Sequence, residues 1–183
     1  ITALLEADYP AENRELIVVD DGSTDDTYTE ARAFESEAVT VVSKENGGKY
    51  SALNYGLLFA SNEIVVTVDA DSVIERDALK RMVDPLTNPK VGAVASTVTI
   101  WNRDSLLTGC QQLEYTIGVN VYRRMLDLFG SVMVVPGCLG AYRREVIEDV
   151  HAFDPQTLTE DFDITIKVLR AGYEVRSSEA QVY

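Results

Sequence analysis

The chain has 183 residues, of which 46% are hydrophobic, and a formal net charge of −14 with a single histidine. This charge argues against nucleic acid or an anionic membrane surface as the main partner, because both would be repelled; acidity of this size is also compatible with adaptation to high salt. The sequence has no run of 18 apolar residues and therefore predicts no membrane-spanning segment. One domain over residues 1–183 is expected.

The two ends of the chain predict a piece of a longer protein. The first residues are typical of the last turns of a helix that would end before Pro10. They include neither an initiator methionine nor a basic leader region, and the last residues carry no stop signal. We therefore expect the domain to be truncated at both ends.

Short β-branched runs alternate with helix-prone segments over the first hundred residues. Runs without polar alternation predict strands that are covered on both faces, and strand–helix alternation is typical of a mainly parallel sheet in an α/β fold. Ser23 or Thr24 is expected to cap the first helix. The expected strands are Leu16–Val19, Val39–Val42, Ile64–Val68 and Val91–Val98, and the expected helices are Thr24–Glu37, Tyr50–Ala60 and Arg76–Leu86.

After Ile100 the sequence predicts an α+β half that forms a second binding wall against the first. Two glycines, Gly137 and Gly140, lie in an expected strand and indicate close approach to another backbone or to a ligand. A last helix is expected from Thr159 to about Leu169, closed by Gly172. A long helix is also expected over Leu106–Leu128, with an apolar stripe formed by Leu106, Leu107, Cys110, Leu113, Ile117, Val121 and Met125.

Two carboxylate pairs follow strands of the predicted sheet. Asp20 and Asp21 end the first strand, and Asp69 and Asp71 follow the third. Ligands bind beyond the carboxyl ends of parallel strands, and a divalent cation that also neutralises a phosphate relieves the repulsion between neighbouring carboxylates. The first pair could bind a uracil or ribose edge, or form an Asx turn and a helix cap. The second pair suits Mn²⁺ or Mg²⁺ on a diphosphate.

Lys49, Asp161 and the two cysteines each have a functional and a purely structural interpretation. Lys49 follows two glycines at a helix start, where it could bind phosphate or remain a solvated lysine beside an ordinary turn. Asp161 could be a general base or only part of a helix cap. Cys110 and Cys138 lack metal-ligand spacing and are expected to be buried small residues rather than a disulfide.

Five motifs in order resemble those of the family 2 inverting glycosyltransferases. They are V-V-D-D-G-S-T-D-D-T, N-G-G-K-x-x-A-L-N, V-D-A-D-S, P-G-x-x-G-A-Y-R-R and T-L-T-E-D-F-D, and they span nearly the whole chain. The chain looks most like the processive membrane synthases, such as poly-N-acetylglucosamine, chitin, hyaluronan and cellulose synthases. The resemblance implies a GT-A fold and transfer, with inversion, of a sugar from a UDP-sugar to a growing β-linked polysaccharide. N-acetylglucosamine is the first donor expected.

The resemblance also implies residue roles on the donor side. Asp20 and Asp21 would bind the uridine, and Lys49 would lie near the nucleotide. Asp69 and Asp71 would serve the diphosphate and its Mn²⁺ or Mg²⁺ ion. Residues 1–100 would therefore form the nucleotide-binding half of the domain.

On the acceptor side, the resemblance makes Asp161 the catalytic base and residues 101–183 the acceptor-binding half. The family's opening strand, its Q-x-x-R-W motif and its membrane helices would lie outside this chain. The whole protein would then sit at the cytoplasmic face of the plasma membrane, with this piece itself soluble. The expected acceptor-binding residues are Gly137, Gly140, Tyr142, Arg143 and Glu160.

Three other functions fit part of the pattern. The first is a non-processive family 2 enzyme that acts on a lipid or oligosaccharide acceptor. A response-regulator receiver also places a lysine near acidic residues, but it is shorter and would not explain Asp71 or the residues after Ser96. A non-catalytic sugar-nucleotide-binding module would have no reason to keep both Asp161 and the Asp69–Asp71 pair.

Overall fold

The computed structural model describes residues 1–99, 109–110, 113–114, 117, 120–155, 157 and 159–183. Within them the strands are β1 (Leu16–Asp20), β2 (Val39–Ser43), β3 (Ile64–Val68), β4 (Val91–Val98), β5 (Leu139–Arg143) and β6 (Glu174–Val182). The α-helices are α1 (Thr2–Leu5), α2 (Thr27–Arg32), α3 (Lys49–Leu57), α4 (Ala78–Val83), α5 (Tyr122–Asp127), α6 (Arg144–Asp149) and α7 (Glu160–Arg170). Short 3₁₀ helices occupy Ala11–Asn13 and Asp84–Thr87.

The strands form one two-stranded and one four-stranded sheet. β1 and β2 are parallel, with Asp20 opposite Ser43 at their carboxyl ends. The larger sheet has the order β3-β5-β4-β6, in which β4 and β6 are parallel and β5 is antiparallel to both of its neighbours. The α/β prediction is confirmed, and β5 makes the larger sheet a mixed one.

Two hydrophobic clusters cover the two faces of the larger sheet. Side chains on successive residues of a strand point to opposite faces, so Val94 of β4 enters one cluster and Ala93 the other. The first cluster includes Met82 of α4, and the second includes Ile164 of α7. These layers hold α4 on one side and α6 and α7 on the other. None of the helices that the structure describes has the length and apolar character needed to cross a bilayer.

The first four strands agree closely with the sequence prediction, whereas the first helix begins later than expected. The Asp25 carboxylate accepts a hydrogen bond from the Thr27 N–H at 3.0 Å, and α2 starts at Thr27 with Asp26 as its N-cap. The prediction that Ser23 or Thr24 caps this helix is therefore wrong. The last helix and the left-handed Gly172, with φ of +92°, are as predicted.

The second half departs further from the sequence prediction. β6 was not predicted. Leu106 and Leu107 lie outside the described residues, and the rest of the predicted apolar stripe is exposed instead of packed into the core. Cys110 is likewise exposed, which corrects the expectation that it is buried, whereas Cys138 is half-buried and both thiols are free.

Candidate active site

Lys49 joins the two halves of the predicted site. Its ammonium Nζ lies 2.5 Å from Asp69 Oδ1, at the end of β3, and 3.4 Å from Glu160 Oε1, in the first turn of α7. Partial burial favours the neutral amine, but the hydrogen bond and charge of Asp69, with the charge of Glu160, raise the pKa of Lys49. The structure thus brings together three of the residues that the sequence singled out.

Gly137 lies against this ion pair. A Cβ atom at Gly137 would be 2.5 Å from Lys49 Nζ and 3.5 Å from Asp69 Oδ2. No real Cβ approaches another atom at the first of these distances, so a side chain here would displace the ammonium group. Gly137 therefore provides room for Lys49, which agrees with the close approach predicted from the sequence.

Asp21 organises the loop that leads to Lys49. Its carboxylate accepts hydrogen bonds from Lys44 Nζ at 2.8 Å, the Gly47 N–H at 3.1 Å and the Gly48 N–H at 2.7 Å. Burial opposes ionisation of the carboxyl, but these contacts outweigh it and lower the pKa of Asp21. Gly48 has a left-handed φ of +85° and is the N-cap of α3, so Asp21 helps to position the first residue of that helix.

Asp20 is turned into the protein and is 6% exposed. Its two carboxylate oxygens accept hydrogen bonds from the Ser23 N–H at 3.2 Å and the Ser43 hydroxyl at 2.7 Å. Hydrogen bonds from Ser23 and Ser43 lower the pKa of Asp20. Asp20 thus makes the turn contacts that were the alternative to nucleotide binding, and it joins the ends of β1 and β2.

Asp161 is half-buried in the first turn of α7, where the positive end of the helix stabilises a carboxylate. Its Oδ1 accepts a hydrogen bond from the Phe162 N–H at 2.8 Å. The Thr165 hydroxyl donates to the backbone carbonyl of Asp161 at 2.6 Å and accepts from the buried Val135 N–H at 3.0 Å. Thr165 thereby joins the first turn of α7 to the segment before Gly137, a role that no sequence signal indicated.

Asn54 makes a second long-range connection, to a backbone that no sequence signal indicated. Its amide donates to the Phe153 carbonyl at 2.8 Å and accepts from the Phe153 N–H at 3.1 Å. Asn54 is the last residue of the N-G-G-K-x-x-A-L-N motif. The motif therefore joins α3 to the segment that precedes α7.

Three of the predicted acceptor-binding residues make other contacts than the Lys49 ion pair. Tyr142 is 2% exposed, and its pKa is raised by burial and then by the charges of Asp161 and Glu160, which lie near its ring. Gly140 is buried, and a Cβ there would be 2.6 Å from Val135 Cγ1.

Arg143, at the far end of β5 from Gly137, donates to backbone carbonyls of the segment that leads into β4. Its Nε donates to Val91 at 2.9 Å, and its Nη2 donates to Asn88 at 3.0 Å and to Leu86. In this structure Arg143 thus fastens the start of β4 instead of facing Lys49.

The carboxylates after β3 fit a divalent cation that is shared with a diphosphate. Asp71 is exposed in the turn that follows Asp69, and the turn is closed by the Ser72 N–H donating to the Asp69 carbonyl at 3.1 Å. Across the part of the chain that the structure describes, no three His, Cys, Asp or Glu side chains are grouped so as to hold a metal. Mg²⁺ and similar ions commonly use one or two carboxylates with phosphate oxygens and water, and Asp69 and Asp71 are two carboxylates of this kind.

The family profile for glycosyl transferase family 2 matches residues 1–151. The chain belongs to glycosyl transferase family 2. It is 32% identical over 179 residues to a poly-β-1,6-N-acetyl-D-glucosamine synthase of Staphylococcus epidermidis, a match that covers 96% of this chain and 43% of that protein. The synthase of the same name from Staphylococcus aureus strain COL is 31% identical over 168 residues, covering 90% of this chain and 41% of that protein. This family 2 chain thus spans about two-fifths of the curated relatives it matches.

Solved structures with the same fold include two complexes of glycosyltransferases. The mannosyltransferase PcManGT from Pyrobaculum calidifontis, in complex with GDP-Man and Mn²⁺, has a TM-score of 0.78 and 30% identity, covering 98% of this chain and 50% of that one. S. aureus TarS 1–349, in complex with UDP-GlcNAc, has a TM-score of 0.71 and 19% identity, covering 98% and 53%. The GT-A fold predicted for the family 2 chain is confirmed.

Proposed function

We propose that this chain is the catalytic part of an inverting, metal-dependent glycosyltransferase. It would transfer N-acetylglucosamine from UDP-N-acetylglucosamine to a growing β-linked polysaccharide. The observation that carries this proposal is the position of Lys49 between Asp69 and Glu160, at 2.5 Å and 3.4 Å, because it joins the predicted donor-side and acceptor-side carboxylates.

On the donor side, Asp69 and Asp71 would hold the metal, which when bound would neutralise the leaving diphosphate. Lys49 would add a positive charge on the same group, at the N-terminus of α3 where a phosphate is favoured. Asp21 would hold the uridine, with the loop of Gly47 and Gly48 shaped around its carboxylate.

On the acceptor side, Asp161 would accept the proton of the attacking hydroxyl. The acceptor oxygen would form a bond to the anomeric carbon as the bond from that carbon to the diphosphate breaks, and UDP would leave on the opposite face. Inversion then follows from a single displacement with one base. Asp161 lies in the first turn of α7, and Glu160 and Gly137 lie beside the Lys49 pair, where the acceptor would arrive.

Similarity to named relatives supports the choice of donor sugar and acceptor. Relatives at 32% and 31% identity are named poly-β-1,6-N-acetyl-D-glucosamine synthases, which favours this sugar and a polysaccharide acceptor. The whole protein would then carry membrane helices and act at the cytoplasmic face of the membrane. A mannosyltransferase at 30% identity makes GDP-mannose the competing donor, and a lipid or oligosaccharide acceptor without processivity is the competing reaction.

The test is calorimetric titration of UDP, UDP-N-acetylglucosamine and GDP-mannose, with Mn²⁺ and then with EDTA. We expect metal-dependent binding of UDP and its sugar, weaker binding of GDP-mannose, and loss of the metal dependence in Asp69→Asn. Circular dichroism on the same samples reports folding. A folded protein that binds no nucleotide in either condition would overturn the proposal, and preference for GDP-mannose would overturn the donor assignment.

A further inference from the structure

We propose that Lys49 is a built-in counter-ion that occupies Asp69 until a divalent cation replaces it, and that Gly137 is the residue that leaves room for Lys49 in this position. The inference deepens the proposed function and rests on it, because it concerns the same metal and diphosphate site. It assigns Lys49 and Gly137 a role in the order of ligand binding that is separate from contact with the sugar.

The contacts of Lys49 define its resting position. Its ammonium is 2.5 Å from Oδ1 of Asp69, the carboxylate that would hold the metal, and it is also attracted by Glu160 at 3.4 Å. A divalent cation on Asp69 Oδ1 would be adjacent to this ammonium, and like charges at such a distance repel. The ammonium must therefore leave Asp69 when the metal binds. The Lys49 side chain is 41% exposed, so solvent is accessible beside it for the displaced ammonium.

The diphosphate gives the displaced ammonium another partner. A metal that arrives alone must displace Lys49 and leave it with only Glu160, whereas a metal that arrives with a nucleoside diphosphate supplies phosphate oxygens for Lys49. Metal and nucleotide should therefore bind with positive coupling, in which each raises the affinity for the other by the same factor. The resting site would consequently take up little free metal.

Gly137 sets how closely Lys49 approaches Asp69. An added Cβ would be 2.5 Å from Lys49 Nζ, and its next contacts would be Lys49 Cε and Asp69 Oδ2, both at 3.5 Å. The only severe clash is thus with the tip of a flexible side chain, so Gly137→Ala should move the ammonium without disturbing the backbone. Lys49→Met and Gly137→Ala should then act alike, although one removes the charge and the other only displaces it.

The experiment measures Mn²⁺ binding to the protein alone and with saturating UDP, by calorimetry, for wild type, Lys49→Met and Gly137→Ala. We expect both variants to bind Mn²⁺ alone about three- to tenfold more tightly than wild type, and the enhancement by UDP to fall in both. The melting temperature should also rise more on addition of Mn²⁺ in the variants than in wild type.

Two matched variants control for the type of change. Lys80→Met removes a lysine from an ion pair with Asp8 at 2.6 Å, away from the site. Gly109→Ala adds a Cβ that, among the residues the structure describes, meets no atom within 4 Å apart from its own helix and chain neighbours. Both should keep the wild-type affinity for Mn²⁺.

The outcomes separate this inference from the proposed function. If wild type binds UDP with Mn²⁺ but both variants keep its affinity for Mn²⁺ alone, the counter-ion role is overturned and the proposed function stands. If only Lys49→Met tightens binding, the part assigned to Gly137 is overturned. A folded wild type that binds no UDP at any Mn²⁺ concentration overturns both.

Discussion

Asn54 and Phe153 form two hydrogen bonds with each other although 99 positions separate them in the chain. The amide of Asn54 satisfies both the N–H and the carbonyl of Phe153, as a neighbouring strand would. The side chain thereby fastens α3, which begins at Lys49, to the segment that leads towards Asp161.

Asn54→Ala should lower the free energy of unfolding by about 1–3 kcal/mol, because it leaves backbone groups of the buried Phe153 unpaired. Urea denaturation measures the change. Asn62→Ala is the matched control, since the Asn62 amide donates to Glu15 on an exposed surface, and its loss should cost less than about 0.5 kcal/mol. Equal effects of the two substitutions would contradict the role given to Asn54.

Thr165→Val should destabilise the protein by about 1–3 kcal/mol, because the buried Val135 N–H loses its acceptor and the Asp161 carbonyl loses a donor. In the full-length enzyme it should also lower kcat, since the first turn of α7 is no longer tied to the segment before Gly137. Thr165→Ser keeps the hydroxyl and should restore kcat, even where some stability is lost. A serine variant as slow as the valine variant would contradict the assignment of the kcat effect to the hydroxyl alone.

Asp161→Asn in the full-length enzyme should reduce kcat by at least about a hundredfold, as expected for loss of a general base. UDP binding should remain within a few-fold of wild type, because the proposed donor site consists of other residues, Asp21, Lys49 and Asp69. Transfer is measured with radiolabelled UDP-sugar and binding by calorimetry. Turnover within a few-fold of wild type would exclude Asp161 as the base.

Asp20 should contribute to stability above about pH 4, and this contribution should be lost on acidification. Its folded-state pKa is lowered by hydrogen bonds from Ser23 and Ser43, whereas the unfolded value is near 3.9. The stabilisation is therefore complete above the unfolded pKa and disappears as the pH falls through the folded one. Asp20→Asn should be less stable than wild type at pH 7, and urea titrations should show this difference shrinking below about pH 4. A pH-independent difference would contradict this linkage.

The two thiols should differ in their reaction with a disulfide reagent. Cys110 is exposed, whereas Cys138 is half-buried and its pKa is raised by burial and by the charge of Asp69. At pH 8 we expect Cys110 to react at least about tenfold faster, because the thiolate is the reactive form. Cys110→Ser should leave only the slow phase and Cys138→Ser only the fast phase. Both thiols should react at similar rates in denaturant.

The elements that the sequence predicted best are those whose burial depends on continuous apolar runs. β3 was predicted with its observed bounds because every residue of Ile64–Val68 is β-branched and all but Thr67 are apolar. β6 was missed because Glu174–Val182 mixes polar residues with Val175, Ala180 and Val182, whose burial depends on irregular pairing with β4. That pairing joins residues far apart in the chain and leaves no local signal.

The residues of the candidate site also differ in whether a local sequence signal or a long-range contact defines them. Asp69 and Lys49 stand beside a strand end and a glycine turn, which are local signals. The contacts of Thr165 and Asn54 are to backbone groups of distant residues, which no motif describes. The motif predicts that Arg143 binds the acceptor, whereas in the structure its guanidinium donates hydrogen bonds to backbone carbonyls.

The order β3-β5-β4-β6 has a consequence for how the protein is made. Val68 of β3 pairs with Leu139 of β5, and Val91 of β4 with Glu174 of β6, so these two strand pairs join residues roughly 70 to 85 positions apart. The β4–β5 pair, such as Ala93 with Tyr142, joins residues about 50 positions apart. During synthesis, β3 and β4 must remain without their partner β5 until residue 139 and beyond have left the ribosome. Such distant pairings slow folding and leave apolar strand edges open in the meantime. The nascent chain should therefore be most prone to aggregation before β5 is inserted, the step that also brings Gly137 to Asp69.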